Sequence, residues 1–231
     1  MKEIAILMAA GLGERMRPLT EHTPKPLIKV HGKPMIETVI EGLRARPTIE
    51  EIYVVTGYLG EQFEALCKKY SCVKLISNPD YLTKNNISSI YAARDVLGSA
   101  DCFICESDLY VTDTAIFQKK LTSSCYYGRM QEGYSEDWVF EVQDHYISRI
   151  GKGGNSTYNM VGISYFKQAD ALILKEEIEK AYAIEENGIL FWDDVVNRNL
   201  DKLRLIIESV EAGQLVEIDT VEELKRINES R

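Results

Sequence analysis

Seven successive residues, Ile4 to Ala10, carry no charged or hydrogen-bonding side chain, and they run straight into Gly11-Leu-Gly13. Polar and apolar residues stop alternating when neither face of a strand meets water, so this run predicts a strand buried on both sides. Such strands belong to parallel sheets covered by helices, which places the chain in the α/β class. The glycines that follow let backbone approach a ligand closely. Three cations, Arg15, Arg17 and Lys25, come next, punctuated by Pro18, Pro24 and Pro26. Arg and Lys hold and neutralise phosphate oxygens. A phosphate-gripping loop at the end of the first strand is the expectation.

The remainder of the first half alternates helix and strand. Pro34 to Leu43 reads as a helix with Pro at its first turn, Glu51 to Gly57 as a strand, and Leu59 to Tyr70 as a helix. Val73 to Ser77 is a strand, Asn86 to Leu97 a helix started by an Asn cap, and Asp101 to Cys105 a further strand. This spacing signals a mainly parallel sheet, in which ligands bind beyond the carboxyl ends of the strands. Gly11, Gly57-Tyr58, Asn85-Asn86 and Glu106-Ser107-Asp108 all follow predicted strands and converge on one rim. In the second half, Cys125 to Met130, Trp138 to Gln143, Tyr146 to Ile150 and Met160 to Phe166 look like short strands. Asp144-His145 and Gly151 to Gly154 are turn signals between them, so a small antiparallel insertion is expected. Helices are predicted over Gln168 to Tyr182, Trp192 to Leu200 and Val221 to Asn228, and strands over Arg204 to Val210 and Leu215 to Asp219. The 231 residues read as one domain.

A net charge of −9 opposes a broad nucleic-acid surface but leaves room for a local cationic pocket. No apolar stretch approaches the roughly 20 residues a membrane span needs, and no signal-type segment opens the chain. Five cysteines without framework spacing point to reduced thiols in a cytoplasmic protein. Cys102 and Cys105 lie in a predicted strand, where positions three apart face opposite ways, which argues against a shared metal or a disulfide. The histidines form no metal-ligand spacing.

The opening loop is neither a Walker P-loop, since it lacks Gly-Lys-Ser/Thr, nor a full dinucleotide fingerprint, since Met16 stands where the third glycine belongs. From Leu7 to Leu27 it resembles the signature of nucleotidyltransferases that make nucleotide-activated sugars and alcohols, L-x-A-G-x-G-x-R-[ML]-x-P-L-T…P-K-[PA]-L. The resemblance implies a Rossmann-like mixed, mainly parallel sheet. It also implies attack by a phosphomonoester on the α-phosphorus of a nucleoside triphosphate. Arg15 and Lys25 would then be the catalytic cations, and Ala9, Ala10, Gly11 and Gly13 would face the nucleotide. A phosphomonoester is mostly a dianion at neutral pH and already a nucleophile, so the absence of an obvious triad fits. Such a reaction needs alignment of two anions and stabilisation of charge. Hard oxygen ligands suit Mg²⁺. Asp108 and Asp219 match the positions where the family holds its metal, with Glu217, two residues before Asp219, as a helper on the same strand face. The contrasting reading of this segment is that Asp219 or Thr220 simply caps the last helix.

A narrower resemblance, to bacterial cytidylyltransferases acting on phosphocholine, covers most of the chain. It rests on Val55-Thr-Gly-Tyr58, Asn85-Asn86-Ile-Ser-Ser-Ile-Tyr91, Glu136-Asp-Trp138 and Phe191-Trp-Asp-Asp194. It implies CTP as the nucleotide, with Gly57, Tyr58, Asn85, Asn86 and Ser88 around the base. Two parts follow, a nucleotide-binding part of about residues 1–110 and an acceptor-binding part of about 111–231. Trp138 and Trp192 beside Glu136, Asp193 and Asp194 suit a quaternary ammonium through cation–π and charge attraction, with Tyr134, Tyr158 and Phe191 as further walls. Those acids would suit a primary ammonium equally. The expected acceptor is phosphocholine, with 2-aminoethylphosphonate or phosphoethanolamine as alternatives. A non-catalytic nucleotide-binding regulatory subunit is the contrasting class. A fusion partner or a homodimer stays open.

Overall fold

In the computed structural model, which describes residues 2–230, the chain begins with β1 (Glu3–Ala9), β2 (Lys29–Val30), β3 (Lys33–Pro34), α1 (Met35–Arg44) and β4 (Ile49–Thr56). It continues through α2 (Glu64–Lys69), β5 (Val73–Ser77), α3 (Ile87–Ala92), β6 (Asp101–Glu106) and β7 (Leu109–Val111). The second half comprises β8 (Cys125–Gln143), β9 (Tyr146–Phe166), α4 (Gln168–Tyr182), α5 (Trp192–Asn197), β10 (Ile206–Ser209), β11 (Leu215–Glu217) and α6 (Val221–Glu229). Seven strands form the main sheet in the order β10-β8-β9-β6-β1-β4-β5. β1 is buried along its whole length and pairs in parallel with β4 and β6, as its unbroken apolar run requires. The β6–β9 and β8–β9 pairs are antiparallel, so the sheet is mixed but mainly parallel on the β1 side.

The sheet separates two cores. Leu7, Val54 and Cys105 pack under α1 and α2, while Ile6, Cys102, Ile104 and Phe166 pack under α3, α4 and α5. Cys102 and Cys105 thus fall on opposite faces, as strand alternation dictates. A third cluster joins Met16, Val30 and Met35 to Ile218 and Leu224. Met16, in the opening loop, is fully buried there and ties that loop to the end of the chain.

At the amino end of β1, Glu3 is 4% exposed and accepts from Arg46, Thr48 and Tyr165. Arg46 also donates to the carbonyls of Phe117 and Lys119. This buried charge is paired and hydrogen-bonded on all sides, the condition for tolerating it.

The second half departs from the sequence expectation in one respect. The four short strands are two long ones, of 19 and 21 residues, joined at Asp144-His145. Both turn residues have positive φ, as a tight hairpin turn demands. Gly151 to Gly154 form no connection; they lie within β9, and Gly151 pairs with Val139. Val139 also pairs with Asn159, and Phe140 with both Ile150 and Tyr158, so the far part of the hairpin folds back beside β9. The glycines bend a strand there rather than end it.

Candidate active site

At the carboxyl ends of β1 and β6 lies a cleft of about 600 Å³. Its floor is the opening loop, from Met8 to Arg15, and its walls include Lys25, Tyr81, Asn85, Asn86, Glu106, Asp108, Phe191 and Asp219. Ala9, Ala10, Gly11 and Gly13 all line this cleft. A Cβ on Gly11 would meet no protein atom within 4 Å, so only the open cleft lies before it. Gly13 differs: at φ +64°, its Cβ would lie 2.9 Å from Lys25 Cβ and 3.0 Å from Thr20 Cγ2. Its missing side chain lets Lys25 pass close to the loop.

Lys25 is 8% exposed and its ammonium donates to Asp108 Oδ2 and Asp219 Oδ1, both at 2.6 Å. Arg15 Nη2 reaches the same Asp219 oxygen at 2.7 Å from a far more exposed position. Burial alone would lower the Lys25 pKa, but the two aspartates outweigh it and raise the value above that of an ordinary lysine. The ammonium stays charged. Asp108, Glu217 and Asp219 place ligand oxygens within 4.8 Å of one another. β7 and β11 create this grouping, pairing antiparallel with Leu109 opposite Glu217, so the residues flanking that pair meet. Thr220, not Asp219, caps α6: its hydroxyl accepts from Glu223 N–H, and Glu223 closes the capping box. The Asp219 carboxylate is left to the cations. Asp108 Oδ1 is buried and takes no hydrogen bond among the described residues. An orphaned carboxylate oxygen inside a cluster of three hard ligands fits a divalent metal ion.

Glu217 keeps surface exposure as a residue. Even so, desolvation of its carboxylate, and then the charges of Asp108 and Asp219, push its pKa up to about 7. Glu106 goes well above the carboxylate range, first from burial and then from Asp108, Asp193 and Glu217.

Several residues expected at the base or the acceptor hold the site from behind. At Gly57 the close neighbour is Tyr81, whose Cγ would lie 2.6 Å from an added Cβ, so a protein ring occupies the space expected for the base. Tyr58 braces the loop, its N–H on Ala10 O and its hydroxyl on Glu21 O. Ser88 is buried, donating to Asn85 O and accepting from Asn78. Asn85 and Asn86 do line the cleft, yet Asn85 Nδ2 donates to Ile189 O and Asn86 Oδ1 accepts from Trp192 N–H.

Trp192 is 3% exposed, stacked on Tyr126 and edge-on to Phe166, so its faces are closed to a ligand. Asp193 is buried and accepts from Tyr126 Oη; burial pushes its pKa up to about 7. Asp194 accepts from Phe191 N–H at the start of α5. Glu136 is exposed on β8 and does not line the cleft. Trp138 is half-buried and reaches the cleft through Phe191, packed edge-on at 5.4 Å. Phe191, expected as a wall of the acceptor site, and Glu106, expected only within a rim segment, both line the cleft, as do Tyr81 and Ser89, which the sequence did not single out. Ser89 lay within the quoted segment Asn85 to Tyr91, whereas no local signal pointed to Tyr81.

Fold and site together define a nucleotidyltransferase: the chain belongs to the MobA-like NTP transferase family, which matches residues 5–128. Within it the chain stands with the cytidylyltransferases. It is 54% identical to a 2-aminoethylphosphonate cytidylyltransferase of Lancefieldella rimae over 96% of this chain and 91% of that one. It is 35% identical to a choline-phosphate cytidylyltransferase of Streptococcus pneumoniae, over 97% and 96% of the two chains. A solved CTP:phosphocholine cytidylyltransferase of Streptococcus pneumoniae superimposes with a TM-score of 0.91 at 34% identity, covering 99% of each chain. No described helix is long and apolar enough to cross a membrane.

Proposed function

We propose that the enzyme transfers CMP from CTP to 2-aminoethylphosphonate. A phosphonate oxygen attacks the α-phosphorus, the bond to the β-phosphate breaks, and pyrophosphate leaves. The observation that carries this choice of acceptor is the 54% identity, over nearly the whole chain, to a 2-aminoethylphosphonate cytidylyltransferase. The cleft supports the chemistry. Gly11 leaves backbone open to a triphosphate, and Lys25 and Arg15 supply positive charge where two anions must approach. Asp108 and Asp219, helped by Glu217, would hold Mg²⁺. When bound, the ion would neutralise phosphate charge. Lys25 spans the two aspartates, so it fixes their carboxylates for that task. Asn85 and Asn86 are the cleft residues best suited to the cytosine edge, and Phe191, backed by Trp138, to the acceptor.

Phosphocholine is the second reading, favoured by Phe191 on the cleft wall and by the pneumococcal relatives. An aromatic face suits a quaternary ammonium. Incubation with CTP, MgCl₂ and each of 2-aminoethylphosphonate, phosphocholine and phosphoethanolamine, following pyrophosphate release, decides between them. The highest kcat/KM is expected with the phosphonate. A higher value with phosphocholine reverses the assignment, and no turnover with any acceptor removes it.

A further inference from the structure

Four carboxylates line the cleft: Glu14, Glu106, Asp108 and Asp219. Three are paired with cations, Glu14 with Arg17, Asp108 with Lys25, and Asp219 with both Lys25 and Arg15. Among the described residues the Glu106 side chain has neither an ion pair nor a hydrogen bond, and it is not one of the three acids grouped as metal-type ligands, Asp108, Glu217 and Asp219. It ends β6 on the face shared with Cys102 and Ile104, toward α5, whereas Asp108 turns toward Lys25 and the end of the chain. Gly162 fixes its stem: at φ +73°, a Cβ there would lie 3.1 Å from both Glu106 Cβ and Cγ. A carboxyl group at the wall of a cleft, with no partner in the protein, is open to a ligand that brings the missing partner.

We infer that Glu106 is the residue that recognises the ammonium group of the acceptor. This rests on the zwitterionic-acceptor reading above. Glu106 and Lys25 line the same cleft, so an acceptor joining phosphonate to ammonium through two carbons can set its anion toward Lys25 and its cation toward Glu106. Phe191 lines the same cleft and walls the carbon linker. The carboxylate therefore selects charge, and the aromatic wall tolerates the substituents on nitrogen.

The test measures kcat/KM for 2-aminoethylphosphonate against ethylphosphonate, which lacks the amine, in the wild type, Glu106→Gln and Glu106→Asp. Phosphocholine against 3,3-dimethylbutyl phosphate, its uncharged isostere, is run in parallel. A charge-assisted hydrogen bond to the primary ammonium predicts a wild-type preference for 2-aminoethylphosphonate over ethylphosphonate of about 10- to 100-fold. Charge attraction alone, with no N–H to donate, predicts a smaller preference for phosphocholine over its isostere. In Glu106→Gln each ratio should fall toward one, and Glu106→Asp should keep part of it. Thermal unfolding establishes that the variants fold. Equal losses on the charged and uncharged acceptors, or an unchanged ratio, overturn the assignment. A wild type that turns over neither zwitterion overturns the zwitterionic-acceptor reading itself, and the inference with it.

Discussion

Replacing Lys25 with Met removes the one buried ammonium between Asp108 and Asp219, each 2.6 Å from it. Losing one partner of a buried ion pair costs about 3–5 kcal/mol. The aspartate side chains keep 20% and 23% exposure. Water therefore compensates part of the loss, leaving about 2–4 kcal/mol. For a chain of this length that is a Tm lowered by roughly 5–15 °C. Catalysis should suffer more, because a donor aimed at developing charge contributes about 10²–10³ in kcat. The two effects separate experimentally. With EDTA, thermal unfolding should show the full loss. With MgCl₂, the three carboxylates regain a counter-charge, and the variant's Tm should rise more than the wild type's. Pyrophosphate release should stay low in both conditions. A variant with wild-type Tm in EDTA and turnover within a fewfold of wild type would refute the argument that Lys25 organises this cluster.

At the far end of β1, Glu3→Gln leaves Arg46 buried without its charge partner and should cost about 3 kcal/mol in denaturant titration at pH 7, with kcat unchanged. Burial raises the Glu3 pKa, but hydrogen bonds from Arg46, Thr48 and Tyr165 outweigh it and lower the folded value. Its stabilisation is therefore present above the unfolded pKa of about 4.3 and lost as pH falls through the folded value, so the gap to wild type should narrow below about pH 4. Gly57→Ala drives a methyl against Tyr81 and should raise KM for CTP while costing about 1–3 kcal/mol; unchanged kinetics would show that Tyr81 moves freely. Trp192→Phe should cost only about 1–2 kcal/mol, because the buried indole N–H has no partner to lose, and Trp192→Ala about 3–5 kcal/mol. Loss of acceptor preference in Trp192→Ala at wild-type stability would instead make the ring a substrate wall.

Much of the site was legible because its signals are local. An unbroken apolar run, two glycines and spaced cations identify β1 and its loop from a short window, since burial on both faces and phosphate chemistry constrain adjacent residues. Asp108 and Asp219 were likewise readable as acids placed at or just beyond strand ends, where they reach the cleft. Whether Asp219 or Thr220 caps the last helix was decided only in three dimensions: Thr220 takes the cap, and the Asp219 carboxylate pairs with Lys25 and Arg15. The Trp192 and Asp193 pair shows the opposite limit. Its composition suits an ammonium cage, but whether a tryptophan face is open depends on what packs against it, here Tyr126 and Phe166 from distant strands. Gly57 misled for the same reason: a glycine signals close approach without saying what approaches.

Residue type and spacing alone thus determined the α/β class, the strand–loop unit and the residues able to neutralise phosphate, since these depend on neighbours along the chain. Tertiary structure decided which acids meet. The β7–β11 ladder brings Asp108 to Glu217 and Asp219, about a hundred residues away, and the end of β6 leaves Glu106 facing the cleft unpaired. Pairing and exposure are properties of three-dimensional neighbours, and no local pattern encodes them.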